Sequence, residues 1–414
     1  MSPAPPLAAA AAHAGPWRMG SGSSTCGSSC QVCAEHRGGI NWLSLSPDGR
    51  HLLTAGEDGT ARVWRTADSQ CCGILQGHES YITFCHLENE AAFTCSADHT
   101  ARKWDLTTGQ CLAVYRGHTS IVNRILVARE YLFSGSYDRT ARCWSVDTEM
   151  PLQEFRGHRN CILALAHFTM QDVLDACEPE EQQEREFLVT GSTDCTVKVW
   201  DVASGRCYRT LRGHSAAILC LVLDVPSKEL FSGSMDYTVR RWNVVTGEQL
   251  KVFRGHQGSV ICLELVSQHL YSGSADRTVK CWVADTGECV RTYKAHKHSV
   301  STLKYHAGFL FTGSGDACVR AFNTKSGILQ QIFRGHTFII NCIQIHNELL
   351  YTASHDGTLR IWDIQDLCKQ NKSHRQEKSA RSKNSQKGSL SHLFHNKVGC
   401  SEQVSREQEP VELN

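Results

Sequence analysis

Histidine, aspartate and serine or threonine recur together along this 414-residue chain, and these are the side chains of a hydrolytic triad. In one such set, His256 is followed by Ser272 and Asp276. A histidine held by a carboxylate can take the proton of a hydroxyl group, which then attacks a carbonyl carbon. The same set, however, returns eight times, each time with an aromatic residue six positions after the aspartate. A hydrolase needs one distinct nucleophile, so the repetition favours a structural network.

The network that we expect joins four side chains. A buried indole N–H needs an acceptor, and a hydroxyl can accept from it while donating to a histidine, whose second nitrogen faces the carboxylate. We expect the hydroxyl and the indole to lie directly opposite each other, in a hairpin centred one residue after the aspartate. Six sets are complete in sequence: His78, Thr94, Asp98 and Trp104; His118, Ser134, Asp138 and Trp144; His158, Thr190, Asp194 and Trp200; His214, Ser232, Asp236 and Trp242; His256, Ser272, Asp276 and Trp282; His336, Thr352, Asp356 and Trp362. The first copy departs from the pattern with Glu35 before its histidine, and the seventh should lack a donor because Phe322 replaces tryptophan.

The elements that position these side chains repeat with a period of about forty residues. Successive aspartates are 40 residues apart, except for intervals of 56 and 42. Each copy contains four short runs of alternating character bounded by Gly, Asp and Ser, which is typical of strands and hairpins. Four strands per unit indicate the blades of an all-β propeller, which close in a ring and so leave few bare sheet edges.

The segments "RGH…SGSADRTVKCW" and "RGH…TGSTDCTVKVWD" resemble WD repeats, the four-stranded blades of a β-propeller. Eight copies predict eight blades, and seven blades with one irregular copy are the alternative. The last copy ends without a fourth strand, which residues 28–35 are expected to supply, closing the ring. The copies begin near His36, His78, His118, His158, His214, His256, His296 and His336.

The predicted domain boundaries follow the repeats. Residues 1–27 form an Ala/Pro/Gly/Ser-rich leader that we expect to be disordered, and residues 28–363 form the propeller. The long fourth copy contains an acidic insertion over 167–186, which we expect to be a solvated loop. Residues 364–414 form a tail, first basic and then acidic, which we also expect to be disordered.

Two features near the start of the chain suggest other chemistry. Cys26, Cys30, Cys33 and His36 have a spacing that zinc ligands can use. The closing strand and the first tetrad already require Cys33 and His36, so we expect no metal and no cofactor. Met19 precedes a pattern that would direct N-myristoylation if translation began there, and only then do we expect a membrane contact.

Composition narrows the remaining functions. The formal net charge is +1, which disfavours nucleic acid as the main partner. The start of the chain lacks the features of a signal peptide, so we expect an intracellular protein, cytoplasmic or nuclear, with reduced thiols. The P-loop and the zinc-protease and esterase motifs are missing from the sequence, so we expect no enzymatic activity.

The resemblance implies a binding platform. In the family, ligands commonly meet the face near the central channel, formed by residues three and five after each histidine and by the residue before each turn aspartate. Carried over by position, the candidate partner-binding face consists of Asn41, Tyr81, Ile121, Asn123, Tyr137, Met235, Ile339, Asn341 and His355. These positions contain no arginine, which disfavours a phosphopeptide. We therefore expect a non-enzymatic scaffold for protein or peptide partners, with a ubiquitin-ligase substrate receptor as the alternative.

Overall fold

The computed structural model describes residues 29–171, 184–294 and 296–369, which form eight four-stranded antiparallel sheets. Blades one to four consist of β2 to β5 (Ile40–Leu45, His51–Gly56, Thr60–Arg65, Cys71–Gln76), β6 to β9 (Ile82–Leu87, Ala91–Ser96, Ala101–Asp105, Cys111–Tyr115), β10 to β13 (Val122–Ala128, Tyr131–Ser136, Ala141–Ser145, Pro151–Phe155) and β14 to β17 (Ile162–Gln171, Glu184–Ser192, Val197–Asp201, Cys207–Leu211). Blades five to seven consist of β18 to β21 (Ile218–Asp224, Glu229–Ser234, Val239–Asn243, Gln249–Phe253), β22 to β25 (Val260–Val266, His269–Ser274, Thr278–Val283, Cys289–Lys294) and β26 to β29 (Val300–His306, Phe309–Ser314, Cys318–Asn323, Leu329–Arg334). Blade eight consists of β30 to β32 (Ile340–His346, Leu349–Ser354, Leu359–Asp363) and β1 (Cys30–Cys33).

The hydrophobic core lies between adjacent blades. The second strand of a blade is buried on both faces, as in β11, where five of the six residues are buried. One core cluster, for example, joins Phe133 and Phe155 of blade three to Leu188 and Trp200 of blade four. Each blade therefore buries its apolar face against its neighbour, and a ring gives every blade two neighbours.

The N-terminal strand closes the ring, as the sequence predicted. β1 pairs antiparallel with β32, with Cys30 opposite Trp362 and Cys33 opposite Leu359. The first and last blades also meet directly, because the Asn341 side-chain amide donates to the main-chain oxygen of Ile40 at 2.9 Å. The prediction of eight blades is confirmed, and the alternative of seven is wrong.

The hairpin around each turn aspartate has a different register from the predicted one. In blade one Thr54 pairs with Arg62, and Trp64 pairs with Leu52, so the ladder is centred on Asp58 itself. A type I turn followed by a left-handed residue produces this loop. The left-handed residue follows the aspartate in all eight blades: Gly59, His99, Arg139, Cys195, Tyr237, Arg277, Ala317 and Gly357. The indole consequently reaches the hydroxyl diagonally across the ladder, and the expectation of directly opposed side chains was wrong.

Two predicted boundaries shift where strands or packed residues extend further than expected. In the insertion predicted over 167–186, β14 continues to Gln171 and β15 begins at Glu184, so both ends belong to paired strands. After β32, the chain forms a helical turn over 365–369, and Ile364, Leu367 and Cys368 pack into the core of blade eight. The remainder of the insertion, the tail beyond 369, the leader over 1–27 and residue 28 lie outside the described residues. In the described ranges, no helix has the length and apolar character needed to cross a membrane.

Candidate functional site

The histidine, hydroxyl, aspartate and tryptophan side chains are hydrogen-bonded together in all six sets that are complete in sequence. The histidine Nδ1 lies 2.6–2.9 Å from the carboxylate, and Nε2 lies 2.7–2.8 Å from the hydroxyl. The indole N–H donates to the same hydroxyl at 2.8–3.0 Å. The first blade forms a seventh complete set from His36, Thr54, Asp58 and Trp64. Glu35, the departure noted in that copy, pairs with Arg62 at 2.9 Å.

These hydroxyl groups have no route to a substrate. Thr94 and Ser272, like the other tetrad hydroxyl residues, have no exposed surface. In seven blades the hydroxyl oxygen also accepts the indole N–H. The tetrads therefore hold the strands of each blade in place, and the geometry gives them no catalytic part.

Each turn aspartate remains ionised because several donors converge on it. Burial opposes the charged form of Asp58, but the Arg37 main-chain N–H, the Thr60 hydroxyl and His36 together lower its pKa to about 2. The pKa is also lowered, against the effect of burial, for Asp98, Asp138, Asp194, Asp236, Asp276, Asp316 and Asp356. Because a carboxylate accepts several hydrogen bonds at once, it ties the turn to the loop that carries the histidine.

In blade seven a different side chain donates to the turn aspartate. Phe322 has no N–H to donate, as predicted, and Cys318 stands where the other seven blades have threonine. Arg320 is 4% exposed; its guanidinium contacts His296 Nδ1 and lies 2.9 Å from Asp316 Oδ2. Sequence reasoning missed Arg320, although the loss of threonine and tryptophan in one copy was a usable signal.

Two pairs of the predicted face residues lie together at the loops of single blades. The main-chain N–H of Tyr137 donates to the main-chain oxygen of Ile121 at 2.9 Å, and that of His355 donates to Ile339 at 3.0 Å. Tyr137 is 40% exposed, as is Tyr81 on the neighbouring blade. The structure thus presents aromatic side chains to solvent where the sequence placed the candidate face.

The three predicted asparagines have a structural task that sequence mapping did not show. The side-chain amides of Asn41, Asn123 and Asn341 each donate to a main-chain oxygen of the next blade, at 2.8, 3.3 and 2.9 Å. Each asparagine lies at a β-bulge in the first strand of its blade. The amides therefore link blades, and only their remaining surface faces the channel.

The candidate face surrounds the mouth of a central cavity of about 880 Å³. Six of the nine predicted residues line it: Asn41, Tyr81, Ile121, Asn123, Tyr137 and Asn341. Met235, 48% exposed, lines a hollow of about 580 Å³ together with Arg277, Lys297 and His298; this hollow shares Leu219 and Ile261 with the central cavity. The sequence mapping missed Arg277 and Lys297, two cations that could meet a phosphate group at this hollow.

A second ring of cavity-lining residues was also missed. The bulge breaks the alternation of the first strand, so residues six after the histidine line the cavity beside those five after it. They are Trp42, Phe84, Arg124, Ala164, Cys220, Cys262 and Thr302. Of the positions after the histidine, three and five were carried over from sequence, together with the residue before each turn aspartate. The shared bulge, which points to position six, is visible only in three dimensions.

The suggested zinc ligands do not converge in the described part of the chain. His36 is engaged by Asp58 and Thr54, Cys33 is buried, and Cys30 is exposed. Cys26 and Met19 lie outside the described residues. Within 29–171, 184–294 and 296–369, no group of three His, Cys, Asp or Glu side chains could hold a metal ion.

Comparison with known proteins shows repeats of one family along the propeller. The family described as "WD domain, G-beta repeat" matches residues 27–65, 69–105, 109–145, 149–201, 205–243, 247–283, 287–323 and 327–363. The chain is 75% identical over 205 residues to human "WD repeat-containing protein 86", covering 50% of this chain and 54% of that protein. A 35-residue stretch, 8% of the chain and 4% of the relative, is 49% identical to Saccharomyces cerevisiae "Cell division control protein 4". The chain thus spans about half the length of the human relative.

Among solved structures, the computationally designed Ika8 protein is similar in fold. The TM-score is 0.70 and the sequence identity 26%, over 80% of this chain and 97% of the designed chain.

Proposed function

Because the chain belongs to the WD-repeat family, we propose that it is a non-enzymatic scaffold that binds partner peptides or proteins on the face around the central channel. The observation that carries this proposal is the set of exposed apolar side chains at the mouth of the cavity. Tyr81 and Tyr137 are each 40% exposed and line it, and Met235 is exposed beside it. Large side chains of this kind are the anchors that dominate binding energy in protein interfaces.

The scaffold proposal fits the state of the polar groups. The hydroxyl, imidazole and carboxylate groups that could perform acyl transfer are used inside the blades, one set per blade. Exposed apolar side chains and linking amides remain for the channel face, and these favour recognition over chemistry. Every cysteine in the described residues is free, which supports an intracellular location.

Proximity labelling in cells tests the proposal. The triple variant Tyr81→Ala/Tyr137→Ala/Met235→Ala should lose a defined group of labelled partners, because truncating an interface anchor commonly reduces affinity tenfold or more, about 1.4 kcal/mol. The matched control is Leu112→Ala/Leu152→Ala, which removes two exposed apolar side chains from the outer strands of blades two and three.

Three results are informative. Loss of partners in the face variant alone supports the proposed surface, and identical partner sets for wild type and the face variant contradict it. Recovery of a cullin adaptor with wild type and with both variants would favour the substrate-receptor alternative, in which a surface elsewhere joins the ligase.

A further inference from the structure

Arg124 places a single cation in the wall of the central cavity. Its guanidinium carbon lies 4.4 Å from the ring centroid of Trp42 and 4.5 Å from that of Phe84. Among the described residues, neither a hydrogen bond nor an ion pair joins the Arg124 guanidinium to another group. Burial lowers the pKa of Arg124, because a charged group loses hydration when it is buried. An anion bound beside the guanidinium would stabilise its positive charge.

Among the described residues, every other buried or half-buried arginine has an acceptor for its guanidinium, either a carboxylate or a neutral group. Arg320 pairs with Asp316, and Arg241 pairs with Glu229. A cation kept without such a partner at the wall of a binding cavity is therefore the exception in this fold. Its donors are left available to a molecule that enters from outside.

The cavity wall offers Arg124 little internal compensation. Glu57 is the one carboxylate among the described residues that line the cavity. One of its oxygens accepts the main-chain N–H of Gly39 at 3.1 Å, and the other lies 3.4 Å from His355 Nδ1. Leu163, Leu219 and other apolar side chains form much of the remaining wall. The cavity therefore combines one unpaired positive charge with apolar surface.

We propose that Arg124 binds the carboxylate of an aspartate or glutamate side chain that a partner peptide inserts into the channel. This inference rests on the proposed function and names the chemistry of its ligand. Trp42 and Phe84 cover the guanidinium by stacking and hold its orientation, while its N–H edge matches a carboxylate through two parallel hydrogen bonds. A phosphate group carries up to two negative charges and is commonly met by several cations, whereas Arg124 is the one cation among the described lining residues.

The test begins with a random peptide library displayed on phage and selected on the immobilised full-length protein. The selected peptides should share an aspartate or glutamate. A synthetic peptide from this set and its amide analogue, with Asn or Gln at that position, are then titrated against wild type. The amide analogue should bind about tenfold more weakly, because hydrogen bonds to a charged group are stronger than those to a neutral one.

The protein variants locate that preference. Arg124→Gln should bind acid and amide peptides within about twofold of each other, and Arg124→Lys should restore part of the discrimination. Arg102→Gln is the control, because Arg102 also lies near a tryptophan ring, 5.9 Å from Trp104, but outside the channel. It should discriminate as wild type does. The comparison of acid and amide peptides on wild type remains decisive even if an Arg124 variant fails to fold.

The outcomes separate this inference from the proposed function. Peptides that depend on Tyr81 and Tyr137 but show no preference for an acid overturn the inference alone. An acid preference that needs Arg124 but ignores both tyrosines supports the inference and contradicts the proposed face. Failure to select any peptide counts against both. The last outcome concerns phosphate. If a phosphoserine analogue binds wild type more than tenfold tighter than the acid peptide, and this gain requires Arg124, then the ligand of Arg124 is a phosphate and the proposed carboxylate is wrong.

The acidic end of this chain is the competing occupant. Replacing Glu402, Glu407, Glu409 and Glu412 by glutamine in the full-length protein should leave peptide affinity unchanged. A rise in affinity in wild type that is missing in Arg124→Gln would show that the chain fills its own channel, and would overturn binding of a partner as the role of Arg124.

Discussion

Arg320 replaces one of the hydrogen-bond donors that the seventh repeat lacks. It supplies to Asp316 the donor that threonine supplies elsewhere, and it is almost fully buried. Removing one member of a buried ion pair leaves a carboxylate undercompensated, so Arg320→Met should lower the free energy of unfolding by about 3 kcal/mol. Arg102→Met is the control, because Thr100 serves the aspartate of that blade. Urea denaturation measures both, and equal losses would contradict this role.

The same exchange should invert the tautomer of one histidine. In blade six the Ser272 hydroxyl accepts from Trp282 and donates to Nε2 of His256, so the ring proton is on Nδ1. In blade seven Nδ1 of His296 lies 3.2 Å from both oxygens of Asp316 and also contacts the Arg320 guanidinium. A guanidinium can only donate, so we expect the proton of His296 on Nε2. Nitrogen NMR of histidine-labelled protein should therefore show opposite tautomers for these residues, each assigned by its His→Gln variant. The same tautomer at both positions would contradict the proposed hydrogen-bond direction.

Among the elements, the closing strand β1 is short, and one of its residues enters the core. Cys33 is 8% exposed and packs in the cluster formed between blades eight and one, whereas Cys30 in the same strand is exposed. Burying an unpaired carboxylate is costly, so Cys33→Asp should lower the free energy of unfolding by about 3 kcal/mol or more. Cys30→Asp is the matched control and should change it by less than about 1 kcal/mol. A similar effect of both substitutions in urea denaturation would mean that β1 does not seal the ring.

Strand number and order could be predicted from the sequence, and hairpin register could not. The 40-residue spacing fixes how many blades form, and the position of Cys33 before His36 indicates the closing strand. The register depends on a positive φ at residues such as Arg139 and Arg277, whose side chains do not favour that conformation and so give no signal. Ile364 and Leu367 also pack on blade eight. Both follow the last repeat in sequence, so the 40-residue period does not predict their packing.

At the scale of the whole molecule, the tetrads and the candidate face differ in how much of each could be predicted from the sequence. The members of a tetrad follow from spacing, because the same four side chains recur in seven of the eight blades. The channel does not repeat chemically: Trp42, Phe84 and Arg124 occupy equivalent positions but meet only because the ring brings three blades together. A pattern read within one copy cannot show a contact between unlike residues of different copies.

The titratable groups of all the blades together determine how the stability of the ring depends on pH. Burial lowers the pKa of His36, His78 and His296, and the eight turn aspartates have lowered pKa values despite their burial. For a lowered pKa, the unfolded chain binds more protons than the folded one, so stability rises with pH. The histidine contribution is fully present above the unfolded value of about 6.5, and the aspartate contribution above about 3.9. Each contribution is lost as the pH falls through the folded value.

We therefore expect the free energy of unfolding to fall modestly between pH 7 and pH 5 and steeply below pH 4. Urea denaturation at constant ionic strength across this range measures the profile. Asp98→Asn should be less stable than wild type near neutrality but should have a shallower acid limb. One titrating carboxylate contributes at most about 1.4 kcal/mol per pH unit, and the slope should decrease by up to that amount. An unchanged slope below pH 4 would mean that the turn aspartates do not govern acid unfolding, and that carboxylates elsewhere on the ring do.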